Sequence, residues 1–178
     1  TSATLAGDEQ ETDPDGSRGA PATGYRLYRS SHGRGYPAGA DLGNVTAVTV
    51  DDLVPGEVAY FYLTATNGGG ESFPTEVVAV RPRTAAGDRA LLLVNGFDKR
   101  DVSTRVRVPW AGSTLYRHLL TRMNTYDAVV EHALALAATT PFVAFDSCEA
   151  EAVELGTVDL GAYDAVVWMG GVESEVST

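Results

Sequence analysis

A change of hydrophobic period near residue 88 constrains the fold of this chain more than any other feature. Before it, apolar and polar residues alternate in short runs, as where Tyr60 and Tyr62 separate Ala59, Phe61 and Leu63. A period of two is typical of β-strands with one buried face. After it, continuous apolar runs alternate with helical spacing, which is typical of a parallel sheet covered on both faces. The chain therefore predicts two modules of different class.

The position of this change divides the chain. We predict an all-β sandwich over residues 1–83, a short linker over 84–88 and a partial α/β domain over 89–178. A length of 178 residues is enough for two small domains. The hydrophobic fraction of 44% and the charged fraction of 21% are those of a globular protein.

Turn residues divide the first module into short strands. Leu53-Val54-Pro55-Gly56 is typical of a corner, and Asn67-Gly68-Gly69-Gly70 of a hairpin turn, because Gly and Asn accept positive φ. Short strands at this spacing predict an antiparallel sandwich. Residues 1–23 are polar and acidic and include the turn signal Asp13-Pro14-Asp15-Gly16, so we expect a solvated loop there.

Three segments of this module carry a family resemblance. They are Gly24–Ser30, the Leu53-x-Pro55-Gly56 corner, and Thr64–Ser72. Together they resemble a fibronectin type III domain over about residues 20–82, which implies a two-sheet sandwich acting as a spacer or docking module. The usual opening strands of that family are not visible in residues 1–20, so the start of the sandwich is either incomplete or divergent.

The second module contains three apolar runs that predict buried strands: Leu91–Val94, Phe142–Phe145 and Tyr163–Met169. Between the first two runs, helical spacing appears at Leu115, Leu119 and Met123 and again from Val129 to Ala137. Strand, helices, strand, helix, strand is the start of a doubly wound, flavodoxin-like sheet. Because three strands without a further helix would leave an open edge, we predict that the α/β domain is partial.

An ordered set of segments runs through this second module: Leu93–Asp98, Val129–Ala133, Phe145–Ser147, Glu151–Val153, and Tyr163–Trp168 followed by Gly171, Glu173 and Ser174. Over about residues 90–177 the set resembles a domain similar in shape to class I glutamine amidotransferases. Such domains follow fibronectin type III modules in bacterial extracytoplasmic proteins, often labelled xanthan lyases or N-acetylmuramoyl-L-alanine amidases. The resemblance implies an extracytoplasmic or secreted bacterial protein whose partners are other domains of the same polypeptide.

Polar side chains follow each predicted parallel strand. The carboxyl ends of parallel strands open on one edge, where ligands usually bind. This rule gathers three pairs of residues on one rim: Asn95 and Asp98, Asp146 and Ser147, and Glu173 and Ser174. Converging acceptors and carboxylates suit a polyhydroxylated ligand, a metal ion or an attacking water. The candidate catalytic residues are Asp98, Asp146 and Glu173, and the candidate ligand-binding residues are Asn95 and Ser147.

Structural roles are the simpler interpretation of several of these residues. Asp146 with Glu149 three residues later matches a helix capping box, and Asn95-Gly96 suits a tight turn. Cys148 lacks the Gly-x-Cys-x-Gly elbow of the amidotransferases and has acidic neighbours that oppose a thiolate. We therefore interpret Cys148 as a buried structural cysteine.

Two tyrosines offer a different kind of candidate site. Tyr60 and Tyr62 share one face of a predicted strand and are expected to be exposed, as a surface for stacking on a sugar or a protein. The alternative is that a neighbouring module covers them.

The sequence predicts no metal site and no cofactor. No histidine pair has zinc-ligand spacing, and the single cysteine excludes a four-thiolate site. The glycine-rich segments lack the lysine of a phosphate-binding loop.

Charge and hydropathy limit the partners. A net charge of −11 argues against nucleic acid and against docking on anionic lipid. No run of about 18 apolar residues predicts a membrane span. The chain begins without Met or an apolar leader, so we expect any signal peptide to lie outside this segment.

These observations lead to two hypotheses of different class. The first is a non-catalytic spacer or interaction segment of a larger protein, with glycans of the cell wall or of exopolysaccharide, or another protein, as its partner. The second is part of a carbohydrate- or peptidoglycan-processing hydrolase or lyase with its site at the carboxyl ends of the parallel strands.

Overall fold

The computed structural model describes residues 3–6, 21–97, 105–118, 128–139 and 143–170. For residues 3–6, 105, 106 and 115–118 it describes the backbone alone. The first module contains the strands β1 (Ala3–Ala6), β2 (Gly24–Ser30), β3 (Ala40–Gly43), β4 (Ala47–Val50), β5 (Ala59–Asn67), β6 (Gly70–Glu71) and β7 (Val78–Val80). The second contains β8 (Arg89–Asn95), β9 (Arg105–Trp110), β10 (Ser113–His118), α1 (Ala128–Thr139), β11 (Val143–Glu149), α2 (Ala150–Glu154), a 3₁₀-helix (Leu160–Ala162) and β12 (Ala165–Met169).

The first module consists of two antiparallel sheets. One has the order β3-β2-β5-β6, with β7 also on β5, and the other pairs β1 with β4. A small core of Leu53, Ala59, Phe61 and Val80 is completed by partly buried Leu27 and Val50. Alternate residues of a strand share a face, which is why Ala59 and Phe61 of β5 both enter this core. The predicted antiparallel sandwich is confirmed.

The opening strand β1 was not predicted. Its four residues run antiparallel to β4, with Ala3 opposite Val50 and Ala6 opposite Ala47. A segment of four residues is too short for its period to be recognised, and the acidic run that follows it dominates the composition. The remainder of the predicted loop, residues 7–20, lies outside the described residues.

The second module is built on a small parallel sheet of order β11-β8-β12. The central strand β8 is buried on both faces, which explains its continuous apolar run. Leu93 packs on one face with Val129, Val130 and Ala133 of α1. On the other face, Leu92 and Val94 pack with Ala150 at the start of α2. The sheet therefore has a helix on each side.

A β-hairpin replaces part of the helix that the spacing of Leu115, Leu119 and Met123 predicted. Leu115 lies in β10, which pairs with β9 along its full length. Ala111 and Gly112 close the hairpin with φ of 48° and 80°, a pair of positive values that suits the twist of a two-residue hairpin turn. Leu119 and Met123 lie outside the described residues. The helical prediction over Val129–Ala137 agrees with α1.

The two modules share one hydrophobic core. Tyr60, Val77 and Ala79 from the sandwich pack with six residues of the second module: Leu93, Val129, Val130, Ala133, Phe145 and Met169. Beside this core the backbone of Arg81 pairs with that of Phe145: the Arg81 N–H donates over 2.8 Å, and the Phe145 N–H donates back over 3.1 Å. The segment that follows β7 of the sandwich therefore lies antiparallel beside β11, at the edge of the parallel sheet.

The segment predicted as a linker is folded into a compact turn. The Asp88 carboxylate accepts hydrogen bonds from the Thr84 hydroxyl (2.6 Å), the Thr84 amide (2.7 Å) and the Ala85 amide (3.0 Å). These bonds, the Thr84 hydroxyl first, lower the pKa of Asp88. The turn brings β8 back against the sandwich within a few residues.

Candidate functional site

The carboxyl edge of the parallel sheet is formed by the last residues of its three strands. The register places Asn95 of β8 between Glu149 of β11 and Met169 of β12. Gly96 continues this arrangement, since its amide donates to the Met169 carbonyl over 2.9 Å. A side chain at Gly96 would meet the Trp168 indole, with 2.5 Å between the added Cβ and Nε1. The edge is thus tightly closed around the end of β8.

Asn95 joins the two modules at this edge. It is 2% exposed, and its Nδ2 donates to Glu149 over 2.8 Å and also to Glu76 of the sandwich. Its Oδ1 accepts a hydrogen bond from the Phe97 amide at 3.4 Å. One amide group therefore holds two carboxylates from different modules.

Neither glutamate was among the predicted site residues. Glu149 would follow from the sequence if the end of β11 were placed four residues later than the end of the apolar run at Phe145. Glu76 comes from the segment before β7, 19 positions away from Asn95, and no local pattern links the two.

Asp146 does not lie at the edge. It occupies the middle of β11, opposite Leu92 of β8, because the strand continues through polar residues as far as Glu149. The Tyr163 hydroxyl donates to its Oδ2 over 3.0 Å. Burial, followed by the nearby Asp146 carboxylate, raises the pKa of Tyr163 to about 12, so this phenol stays protonated at neutral pH.

The predicted capping box is also wrong. Helix α2 begins at Ala150, its N-cap is Glu149, and no side chain makes a capping hydrogen bond there. Asp146 is still in extended backbone and lies too early to cap the helix.

Ser147 binds the sandwich and not an open cleft. Its hydroxyl accepts a hydrogen bond from the Ala79 amide at 2.6 Å and donates to the Ala79 carbonyl at 2.9 Å. Both backbone groups of one β7 residue are thereby satisfied by one side chain across the module boundary.

The other rim candidates, Asp98, Glu173 and Ser174, lie outside the described residues. The structure therefore places two of the predicted rim residues, Asn95 and Ser147, at the contact between modules and a third, Asp146, on the face beside Tyr163.

Cys148 is held as a protonated thiol. Burial raises its pKa to about 11, and the carboxylates of Glu149, Asp146 and Glu151 add to that effect. A thiolate is the nucleophilic form, so this environment opposes nucleophilic chemistry at neutral pH.

The tyrosine surface is not exposed as predicted. Tyr60 is 1% exposed and lies within the core shared by the modules. Tyr62 is half-buried. The Tyr28 ring is stacked against the Tyr62 ring, and the Tyr36 ring meets it edge-on, each with 4.5 Å between the ring centroids. Gly39 lies against the Tyr28 ring, and a Cβ added at Gly39 would be 2.7 Å from the ring atoms. These contacts leave no flat ring face for a ligand on Tyr60, and they crowd that of Tyr62.

Two cavities in the described part of the chain lie away from the carboxyl edge. A groove of about 270 Å³ follows the hairpin turn of β5 and β6 and is lined by Asn67, Glu71 and Ser72 among others. A space of about 30 Å³ lies beneath Tyr25, Val48 and Leu63. No group of three or more His, Cys, Asp or Glu residues that could hold a metal is present over the described ranges. None of the described helices is long and apolar enough to cross a membrane.

Comparison with known proteins gives structural neighbours only. No protein-family model matches the chain, and no curated protein matches it. The chain is similar to the twitchin kinase region of C. elegans (Fn31-NL-kin-CRD-Ig26), with 22% identity and a TM-score of 0.36 over 48% of this chain and 15% of that one. It thus spans less than a sixth of that structure.

Two human fibronectin type III domains are also similar. One is the third such domain of the KIAA0343 protein, with 22% identity and a TM-score of 0.34 over 49% of this chain and 74% of that one. The other belongs to fibronectin type III domain containing protein 3, with 27% identity and a TM-score of 0.34 over 49% of this chain and 79% of that one.

Proposed function

We propose that this chain is a non-catalytic spacer and interaction segment of a larger extracytoplasmic bacterial protein associated with cell-wall or exopolysaccharide glycans. One observation carries the proposal: polar side chains of β8 and β11 hold the modules together. Asn95 binds Glu76, and Ser147 binds both backbone groups of Ala79. Side chains committed to such contacts are positioned for rigidity and not for turnover.

The proposal includes a partial flavodoxin-like domain of the glutamine amidotransferase shape. The order β11-β8-β12 supports it, because the second, first and third strands of a flavodoxin-like sheet stand in that order. Helices on both faces of β8 are also expected of this architecture. The extracytoplasmic location rests on the sequence resemblance.

One observation favours the alternative, a glycan- or peptidoglycan-processing hydrolase or lyase. Glu76 and Glu149 both bind the Nδ2 atom of Asn95, at the edge where parallel sheets usually take ligands. Two neighbouring carboxylates are the usual catalytic pair of glycoside hydrolases. In this chain the side-chain amide of Asn95 lies between the two carboxylates and donates a hydrogen bond to one oxygen of each.

The test is a search for turnover by the intact chain. Purified protein is incubated with xanthan and with peptidoglycan, and new reducing ends, unsaturated sugars and released amines are measured over a day. We expect none above a heat-denatured control.

If turnover is seen, two variants locate it. Glu149→Gln removes a carboxylate of the edge, and Glu154→Gln makes the same change at an exposed position of α2. Activity lost in the first and kept in the second, with both folded by circular dichroism, would establish the enzyme alternative. The double variant Asp98→Asn, Glu173→Gln tests the rim candidates in the same way.

A further inference from the structure

The two edges of the parallel sheet differ. At the β11 edge, Arg81 and Phe145 exchange backbone hydrogen bonds, so the segment after β7 covers that edge. At the other edge β12 pairs with β8, and none of the other strands that the structure describes lies beside it. An uncovered edge presents backbone N–H and C=O groups with which a strand of another chain can pair.

Strand β12 lacks the features that usually protect an edge. Natural edge strands oppose pairing with charged side chains, prolines, bulges or a very short length. The five residues of β12, Ala165–Met169, include no charged residue, proline or glycine, and their register with β8 is continuous. Nothing in the strand itself therefore opposes the addition of another strand.

The residue types of β12 are those of an interior strand. A continuous apolar run is typical of a parallel strand that is covered on both faces. In β12 only Met169 is buried, while Val166 is 37% and Trp168 is 40% exposed. Val166 and Trp168 share one face, since they are two residues apart in a strand. This mismatch between residue type and exposure indicates that a further strand covers β12.

The ladder with β8 determines which backbone groups face the open side. The Met169 carbonyl accepts a hydrogen bond from the Gly96 amide over 2.9 Å, so Met169 directs its backbone groups to β8. Successive residues of a strand direct these groups to opposite sides, and the first, third and fifth residues of β12 therefore bond to β8. The N–H and C=O groups of Val166 and Trp168 face away from it.

We propose that β12 pairs with β12 of a second copy of this chain, antiparallel about a twofold axis at Val167, so that one sheet runs through both copies. The inference goes beyond the proposed function, which names no partner for this edge. Opposite residues of an antiparallel ladder can exchange both of their backbone hydrogen bonds. An axis at Val167 places Val166 opposite Trp168 of the second copy, and the outward backbone groups of both residues are thereby paired.

The side chains fit the same arrangement. Val166 and Trp168 of the second copy become direct cross-strand neighbours on one face, and aromatic residues paired with β-branched residues stabilise antiparallel sheets. The pairing covers the surface that these two residues expose. Asp164, which directly precedes β12, comes opposite Gly170 of the second copy, so no like charges meet in the ladder.

The geometry also limits the size and strength of the assembly. A twofold contact uses the same edge of both copies and closes at a dimer. Because the ladder is short, we expect a weak dimer with a dissociation constant on the order of 10 μM. Each copy carries a net charge of −11, so added salt should strengthen the pairing by screening the repulsion between copies.

The experiment is sedimentation velocity of the full chain from about 1 to about 300 μM, a range that brackets the expected dissociation constant. We expect the mass to rise from that of one copy, 18.7 kDa, to twice that value, with the midpoint at lower concentration when salt is raised.

Variants of one position separate the ladder from general stickiness. Val166→Pro removes an N–H group that β8 does not use, and proline is accepted in an edge strand at such a position, so the variant should fold and dimerise at least about tenfold more weakly. Val166→Thr keeps the N–H group and the branched shape and should dimerise within about threefold of the parent.

Trp168→Lys tests the side-chain pair independently. It lowers the net negative charge and hence the repulsion between copies, yet it should weaken dimerisation about tenfold, since lysine protects an edge from pairing. Circular dichroism and urea unfolding verify the fold of each variant. If Val166→Pro does not fold, Trp168→Lys and the amide measurement below decide.

Amide hydrogen exchange followed by NMR locates the contact. The amides of Val167 and Met169 bond to β8 and should be protected at low and at high protein concentration. The amides of Val166 and Trp168 should exchange rapidly in the dilute protein and become protected only as the dimer forms.

Three outcomes would overturn the inference. A monomer across the whole range would assign the edge to another partner, such as a further strand of a larger polypeptide. A dimer that Val166→Pro and Trp168→Lys leave intact, or that does not protect the Val166 and Trp168 amides, would place the contact on another face. Growth beyond a dimer would show head-to-tail pairing and no twofold axis. The search for turnover is made separately, so none of these outcomes decides the proposed function.

Discussion

At the scale of single residues, the hydroxyl of Tyr60 is the least satisfied group in the shared core. Tyr60 is 1% exposed, and its hydroxyl makes no hydrogen bond within the described residues. A buried hydroxyl without a partner costs free energy because its hydration is lost on folding and not replaced. Burial, and then the Glu131 carboxylate, raise the pKa of this phenol.

Removing that hydroxyl should not destabilise the protein. We expect Tyr60→Phe to raise the free energy of unfolding by about 1 kcal/mol, as the ring packing is kept and the unpaired group is lost. Urea unfolding followed by circular dichroism measures the change.

Tyr28→Phe is the matched control. The Tyr28 hydroxyl donates to the Glu71 carboxylate over 2.5 Å, so this variant loses a charge-assisted bond and should be less stable than the parent. A loss of stability in Tyr60→Phe as large as that in Tyr28→Phe would contradict the first prediction.

Residue roles were predicted where a local pattern sufficed. Asn95 was expected at the sheet edge and lies there, because the end of a fully apolar run marks the end of a buried strand. Asp146 was expected beside it and does not lie there, because β11 continues for three further residues, to Glu149. The burial of Asn95 and Asp146 depends on which residues pack over β8 and β11. The apolar runs of these strands carry no information about those residues.

At the scale of elements, α1 depends on a close approach to the sandwich. Gly33 lies against Val130 of α1, with 2.6 Å between an added Cβ and Val130 Cγ1, and it has φ of +69°. Both the backbone conformation and the space require glycine.

A pair of variants separates these two requirements. Gly43 has φ of +68° and nothing within 4 Å of an added Cβ, so Gly43→Ala measures the backbone cost alone, about 1 kcal/mol. Gly33→Ala should cost about 2–4 kcal/mol, since overpacking against α1 is added. Urea unfolding of both variants measures the difference in the free energy of unfolding. Equal losses of stability would mean that α1 shifts to accept the added methyl group at no cost in free energy, which would contradict the prediction.

Element type followed the sequence where the pattern was long. The apolar run of β8 and the helical spacing of α1 both predicted the observed elements. The hairpin was missed because the spacing of Leu115, Leu119 and Met123 also fits a helix. Its turn at Ala111 and Gly112, followed by β-branched and aromatic residues, favours strands.

At the scale of the whole molecule, the shared core makes the modules interdependent. Ala133 of α1 is 0% exposed and packs in the same cluster as Tyr60 and Ala79 of the sandwich. Neither module buries these side chains alone, so we expect a single cooperative thermal transition in differential scanning calorimetry, with equal calorimetric and van't Hoff enthalpies.

Breaking the shared core should end this cooperativity. Ala133→Asp buries a carboxylate at a cost of several kcal/mol and should split or broadly lower the transition. Ala135→Asp makes the same change on the exposed side of α1 and should keep one transition near the parent's temperature. Two transitions in the parent protein would show that the modules fold independently.

The sequence by itself determined the class of each module and most of its central strands, because hydrophobic period is a local property of consecutive residues. The tertiary structure alone decided that Tyr60 is buried, that Ser147 binds Ala79, and that Asn95 holds Glu76 and Glu149. The contacts of Tyr60, of Ser147 and of Asn95 with Glu76 join residues of different modules, and the contact of Asn95 with Glu149 joins neighbouring strands of the second module. The contacts between modules form only when the buried surfaces of the two modules pack together. The hydrophobic period of one module carries no information about the side chains that the other module places against it.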